Sequence, residues 1–208
     1  MTKRALIIAP TYGYPYTLPP TPNDRADWLA TLAARGFTSI SVIQGQTSAS
    51  VMAALSAFSN SLLGGDRGAV VALGHGSRLP GSEPDGYDEC YVPPDLQAIR
   101  DHEIGQILLP ALNRGAKVDV VSEFCYAGTS TDDMLRTWCG CGPAQTVWWG
   151  YSGGLVRSLF SLYLCYALRN YPAYTASQLM QLVRGWVMGA VPSQVPQLDG
   201  PGQSEVPF

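Results

Sequence analysis

Two side chains in this sequence of 208 residues have the types and the setting for acyl-transfer chemistry. His75 stands between Gly74 and Gly76, directly after the apolar run Ala69 to Leu73, and Cys125 directly follows the run Lys117 to Phe124. A thiol next to an imidazole is a nucleophile with its own base, because the ring takes the thiol proton and later hands it to a leaving amine. Gly76 and Cys125 each offer a backbone N–H to a developing oxyanion, and glycines beside the histidine allow close backbone approach. Taken singly, His75 fits an ordinary loop histidine and Cys125 a small buried hydrophobe. Their joint placement at the ends of two apolar runs, fifty residues apart, carries the reading.

The elements that must position them alternate. Arg4 to Ala9 is apolar on both faces and stops at Pro10, which predicts a buried strand, and Thr38 to Ile43 and Ala69 to Leu73 predict two more. Between them lie a helix capped by Asn23 with Trp28, Leu29, Leu32 and Ala33 on its apolar side, and another carrying Val51, Leu55, Phe58 and Leu62. A long Gly- and Pro-rich loop is expected from Gly74 to Arg100, then a helix opening at Asp101, a strand from Lys117 to Phe124 and a fifth strand from Thr146 to Trp149. Leu155 to Arg169 and, behind a Thr175/Gln178 capping box, Leu179 to Met188 predict the closing helices, and the tail from Pro192 is expected to hug the surface or fray. Such alternation implies an α/β fold with a mostly parallel sheet between helical layers, and ligands collect at the carboxyl ends of its strands.

Composition narrows the function. Charged residues are 14%, hydrophobic ones 46%, and the net charge is −3 with a pI near 5.3, so no basic field favours nucleic acid. No apolar run is long enough to cross a bilayer, and the start lacks the shape of a signal peptide, so no membrane partner and a cytoplasmic location are expected. Five scattered cysteines are not a disulfide framework.

Three other motifs compete. Gly150-Tyr151-Ser152-Gly153-Gly154 matches G-x-S-x-G between a strand and a helix, the setting of a serine nucleophile. The order argues against it, since both histidines, His75 and His102, lie upstream of Ser152. Cys139-Gly140-Cys141 lacks the second Cys/His pair that structural zinc needs. Asp85, Asp88, Glu89, Asp101, Glu103, Asp132 and Asp133 are oxygen ligands of the kind calcium prefers.

The sequence resembles the caspase-like cysteine peptidases, specifically metacaspases and their prokaryotic relatives. The resemblance runs through Lys3 to Ala9, Thr21-Pro22-Asn23-Asp24, Gly74-His75-Gly76, Asp85-Gly86-Tyr87-Asp88-Glu89 with Pro93-Pro94-Asp95, Ile99 to Ile104, Glu123-Phe124-Cys125-Tyr126-Ala127-Gly128-Thr129 and Ser193 to Leu198. It implies a caspase-hemoglobinase fold, a three-layer sandwich, and endopeptidase activity after Arg or Lys with His75 and Cys125 as the dyad. It places Asp24 and Glu123 in the pocket for the basic side chain and Ser152 along the peptide, and it maps an activating calcium site onto Asp85, Asp101 and Asp132. The fourth calcium position holds His102, a poor ligand for that ion. On this pattern residues 1–191 form one peptidase domain, with 1–131 and 146–191 as the large- and small-subunit-like halves and 192–208 as a Pro-rich tail. Departures are visible too: Tyr126 and Ala127 follow the cysteine where the family has His-Ser, and Leu73 replaces a serine expected at the pocket floor. Between Asp132 and Gln145 only Arg136 is basic, so an uncut, monomeric chain acting on peptide or protein substrates is expected. A caspase-like scaffold that binds peptides without cutting them is the alternative, disfavoured because both dyad residues are present.

Overall fold

The structure is a computed structural model that describes residues 1–81, 86–128 and 135–208. Strands β1 (Lys3–Ile8), β2 (Ser39–Ile43), β3 (Arg67–Leu73), β7 (Lys117–Glu123) and β8 (Arg136–Cys139) lie parallel in the order β8-β7-β3-β1-β2. Alternate side chains of these strands feed two cores. Ala5, Ile7, Ala69, Val71, Leu73 and Val121 face one side, packed by α1 (Thr21–Ala34), α4 (Leu159–Asn170) and α5 (Ala176–Ala190). Leu6, Ile8, Val70, Ala72, Val118 and Val120 face the other, under α2 (Ser48–Ser61) and α3 (Asp101–Asn113). That period of two on doubly covered strands is why the sequence shows unbroken apolar runs rather than alternation.

Several expectations change. The segment expected to be a long loop from Gly74 to Arg100 carries β4 (His75–Pro80), β5 (Tyr87–Val92) and β6 (Ile99–Arg100), a three-stranded antiparallel sheet. Its glycines, prolines and charges mask the alternation that would signal strands. The fifth parallel strand is β8, not Thr146 to Trp149. A charged residue hides it: Arg136 is 6% exposed, its guanidinium forked onto the Asp119 carboxylate of β7 and donating to the Gly202 carbonyl. Trp149 instead begins β9 (Trp149–Ser152), paired antiparallel with β10 (Leu155–Ser158), so α4 starts at Leu159 rather than Leu155. Asn23 does not cap α1, which begins at Thr21 behind Pro20; its amide donates to the Val156 carbonyl at 2.8 Å, tying α1 to β10. The Thr175/Gln178 capping box is present as expected.

The C-terminal segment, expected to hug the surface or fray, is built into the sheet and core. Residues of β11 (Gln197–Asp199) pair antiparallel with β8, and Phe208 is 2% exposed among Trp138, Trp28 and Phe37, its ring centroid 5.8, 6.3 and 6.4 Å from theirs. Removing a buried phenyl costs about 3–5 kcal/mol, whereas truncating a surface residue costs within about 0.5 kcal/mol. Phe208→Ala is therefore expected to lower the denaturation midpoint sharply, as measured by urea unfolding; an unchanged midpoint would show that the tail does not pack there.

Candidate active site

The register of β3 on β7 places the site. Leu73 lies opposite Glu123, the last residue of each strand, and the Gly74 N–H donates to the Glu123 carbonyl at 3.3 Å. His75 and Cys125 each stand two residues past that pair, so two neighbouring strand ends deliver them to one cleft of about 120 Å³. Asp24, Glu123, Leu73, Val147, Trp149 and Ser158 line it with them.

His75 is held at both its backbone and its ring. The Tyr12 hydroxyl accepts from the His75 N–H at 3.1 Å and donates to the Val92 carbonyl at 2.6 Å, an approach that Gly74 permits, since a Cβ there would lie 2.6 Å from that hydroxyl. The imidazole Nε2 lies 2.8 Å from the Tyr16 carbonyl oxygen, with the Tyr12 ring edge-on at 4.6 Å. A carbonyl only accepts, so Nε2 carries the hydrogen and Nδ1 is the basic nitrogen of the neutral ring. The backbone oxygen of Tyr16 thus orients the His75 ring. A carbonyl has no signal in sequence, and it was missed there.

The turn that presents Cys125 is tight. Tyr126 has φ +63°, its N–H donates to the Gln145 carbonyl at 2.8 Å, and the Cys141 thiol sits beneath, 3.3 Å from the same carbonyl and 3.5 Å from that of Phe124. Gly76 runs so close to this turn that a Cβ would collide with the Cys125 carbonyl oxygen, which brings both candidate oxyanion donors to one place. Burial pushes the Cys125 thiol above its ordinary value, so the resting cysteine holds its proton.

Beside the dyad lies an unneutralised acidic pocket. Asp24 is 2% exposed and Glu123 4% exposed. Asp24 accepts from the Ser158 N–H at 3.1 Å, and Glu123 accepts from the hydroxyls of Ser158 and of Ser161, the latter at 2.7 Å. Burial first, then the charge of Glu123, pushes Asp24 up to about 9, the Ser158 N–H opposing. Burial pushes Glu123 up to about 7 against the two serine hydroxyls. The Arg157 guanidinium, whose charge reaches Asp24, is engaged elsewhere, with its Nε 2.6 Å from Asp27 and its Nη1 2.7 Å from the Ser152 carbonyl. Ser158 and Ser161 supply hydroxyls in a pocket where Leu73 removed one; nothing in the sequence pointed to them.

Ser152, Cys139, Cys141 and Asp101 are not among the residues that line the cleft. Ser152 ends β9 three residues beyond Trp149, is not part of the cleft lining and has no histidine partner among the described residues. Cys139 and Cys141 are buried and form no disulfide. Of the three aspartates in the calcium reading, Asp85 and Asp132 lie outside the described residues. Asp101 is buried at the start of α3 and accepts from the His102 N–H at 2.8 Å, and Asp88 nearby pairs with Arg100. Among the described residues no three His, Cys, Asp or Glu side chains are grouped to hold a metal ion.

A family model described as the caspase domain matches residues 2–204. The chain is 31% identical over 148 residues to Metacaspase-4 of Arabidopsis thaliana, covering 64% of this chain and 35% of that protein. To Metacaspase-7 of the same plant it is 39% identical over 64 residues, 29% of this chain and 16% of the relative. It therefore spans only 16% to 35% of these curated relatives' length. The structure of Caspase-1 from Spodoptera frugiperda superposes with a TM-score of 0.70 at 14% identity, covering 95% of this chain and 86% of that one. A protein from Geobacter sulfurreducens gives 0.72 at 19% identity over 100% and 98% of the two chains. At such identities the likeness establishes the fold, the expected parallel sheet between helical layers.

The two raised carboxyls make stability depend on pH in a definite direction. The folded state binds more protons than the unfolded one from about pH 4 upward, so stability falls as pH rises, until about 7 for Glu123 and about 9 for Asp24. Each group costs about 1.4 kcal/mol per pH unit across its window. Asp24→Asn is expected to flatten the decline in melting temperature between pH 6 and 9; a variant whose profile parallels the parent's would show that Asp24 is not held protonated.

Proposed function

Because the chain belongs to the caspase domain family, we propose that it is a cysteine endopeptidase that cuts after Arg or Lys with Cys125 and His75. The observation that carries the specificity is the buried Asp24 and Glu123 pair, which lines the cleft beside Cys125 with no Lys or Arg among the lining residues. Two carboxylates in a desolvated pocket repel an acidic side chain and hold a guanidinium through charge-assisted hydrogen bonds. An incoming cation favours their ionised forms, so binding releases protons.

In the reaction, Nδ1 of His75 takes the thiol proton while the sulfur attacks the carbonyl carbon of the scissile bond. The oxyanion faces the N–H groups of Gly76 and Cys125. As the C–N bond breaks, His75 gives its proton to the leaving amine, and a thioester remains. Water then attacks the thioester with His75 as base, and the proton returns to sulfur as the acid departs. The Tyr16 carbonyl stabilises the imidazolium that forms in each half. Substrate backbone is expected to lie along β9, which pairs only with β10 among the described residues and carries Trp149 in the cleft wall. None of these steps runs through a metal. Calcium enters this reading only as a proposed activator at Asp85, Asp101 and Asp132, and full activity in excess chelator would remove it.

Cys125→Ala and His75→Ala are each expected to abolish cleavage of Arg-containing peptides with thermal unfolding nearly unchanged, while Ser152→Ala stays active. Asp24→Asn and Glu123→Gln, which keep the shape and remove the charge, should each cut turnover of Arg substrates at least tenfold, consistent with about 2 to 5 kcal/mol for a broken buried charge pair. Preferred cleavage after Asp by the parent protein would overturn the pocket assignment. Since Arg136 is buried in β8, active material should run as one chain by mass spectrometry; fragments split at Arg136 that appear with activity would contradict the uncut form.

A further inference from the structure

A guanidinium stands against Tyr126, the residue after the nucleophile and outside the lining of the acidic cleft, and the proposed reaction gives it no task. Arg78 of β4 is half-buried, its guanidinium carbon 4.9 Å from the Tyr87 ring centroid and 5.0 Å from that of Tyr126. Arg100, Arg136 and Arg157 are paired with Asp88, Asp119 and Asp27. Arg78 stands opposite the buried Glu89 across the β4–β5 pair, but its guanidinium lies within ion-pair distance of no carboxylate among the described residues. Its place is fixed by the backbone. Gly76 and Arg78 lie two apart on one strand and so project to the same face, and the Cβ direction of Gly76 points at the Cys125 carbonyl and the Phe124 ring. Arg78 follows that face onto Tyr126, the residue directly after the nucleophile. Aromatic rings at that distance attract a guanidinium through their π faces, and its N–H edge is a fork matched to a carboxylate.

Resting on the endopeptidase reading above, we infer that Arg78 is a specificity residue for the leaving side of the substrate and selects Asp or Glu within the first two positions after the cut. The basic side chain before the cut enters the Asp24/Glu123 pocket and the scissile carbonyl faces Gly76, so the leaving half continues past Gly76 along β4. Strands advance about 3.3 Å per residue, which puts Arg78 about 7 Å beyond Gly76, within reach of a side chain at either position. The cleft is then charged in two senses, acidic before the scissile bond and cationic after it. A peptide with a basic residue followed by an acidic one fits both ends; the reverse order meets repulsion at each.

The test uses internally quenched fluorescent peptides with Arg before the cut and Glu, Gln or Lys at the first or second position after it. The parent protein is expected to show kcat/KM about tenfold higher for Glu than for Lys at one of these positions, a ratio that shrinks as salt rises. In Arg78→Gln the ratio should fall to near one, and in Arg78→Glu it should invert in favour of Lys. Because each ratio is taken within one protein, a general loss of activity or folding leaves it readable. A parent ratio near one, or a ratio unchanged in Arg78→Gln, overturns this inference while the endopeptidase reading stands. Failure of the parent to cut any Arg peptide overturns that reading and this inference with it.

Discussion

The whole site hangs on the hydrogen-bond register between β3 and β7. Because Leu73 faces Glu123 across two parallel strands, the chain leaves the sheet at the same height twice, and two residues later it delivers an imidazole and a thiol. A slip of one residue would turn every side chain of either strand to the other face. The two cores forbid that slip: Val71 and Leu73 belong to the α1/α4/α5 side and Val70 and Ala72 to the α2/α3 side. Packing of ordinary aliphatic residues is thus what sets the distance between the reactive groups, and the glycines around His75 let the neighbouring backbones close on them.

A cost is concentrated next to that frame. Two carboxyls are buried with hydroxyl and amide donors but without a cation. Burying charge without a partner is unfavourable, and with Arg157 engaged on Asp27 the protein meets the difficulty by holding protons on these groups. The free protein is therefore less settled here than its core would allow. A ligand that brings a positive charge supplies what the fold withholds.

What the sequence revealed and what it hid follow from the same physics. Ala69 to Leu73 and Lys117 to Phe124 were legible as strands because doubly covered strands are continuous apolar runs, and so His75 and Cys125 could be placed at their ends. Asp24 and Glu123 were legible through the family resemblance, and the structure brings both to the cleft. β8 was hidden because Arg136 breaks the apolar pattern, its charge satisfied by Asp119 far away in sequence. β4 to β6 were hidden by glycines that serve close approach, as at Gly74 and Gly76, rather than a loop. The Tyr16 carbonyl and the Ser158 and Ser161 hydroxyls had no signature at all, because their roles arise only when distant segments meet.

The burial of the cysteines has a practical side. Cys90, Cys139, Cys141 and Cys165 are each 0% exposed, and burial pushes Cys90 up to about 11 and Cys141 up to about 12. Cys125 alone opens to the cleft. A thiol-directed electrophile small enough to enter should therefore modify the folded protein at one position in five, so that label incorporated per mole counts competent molecules directly, and denaturation before labelling raises the count to the full complement.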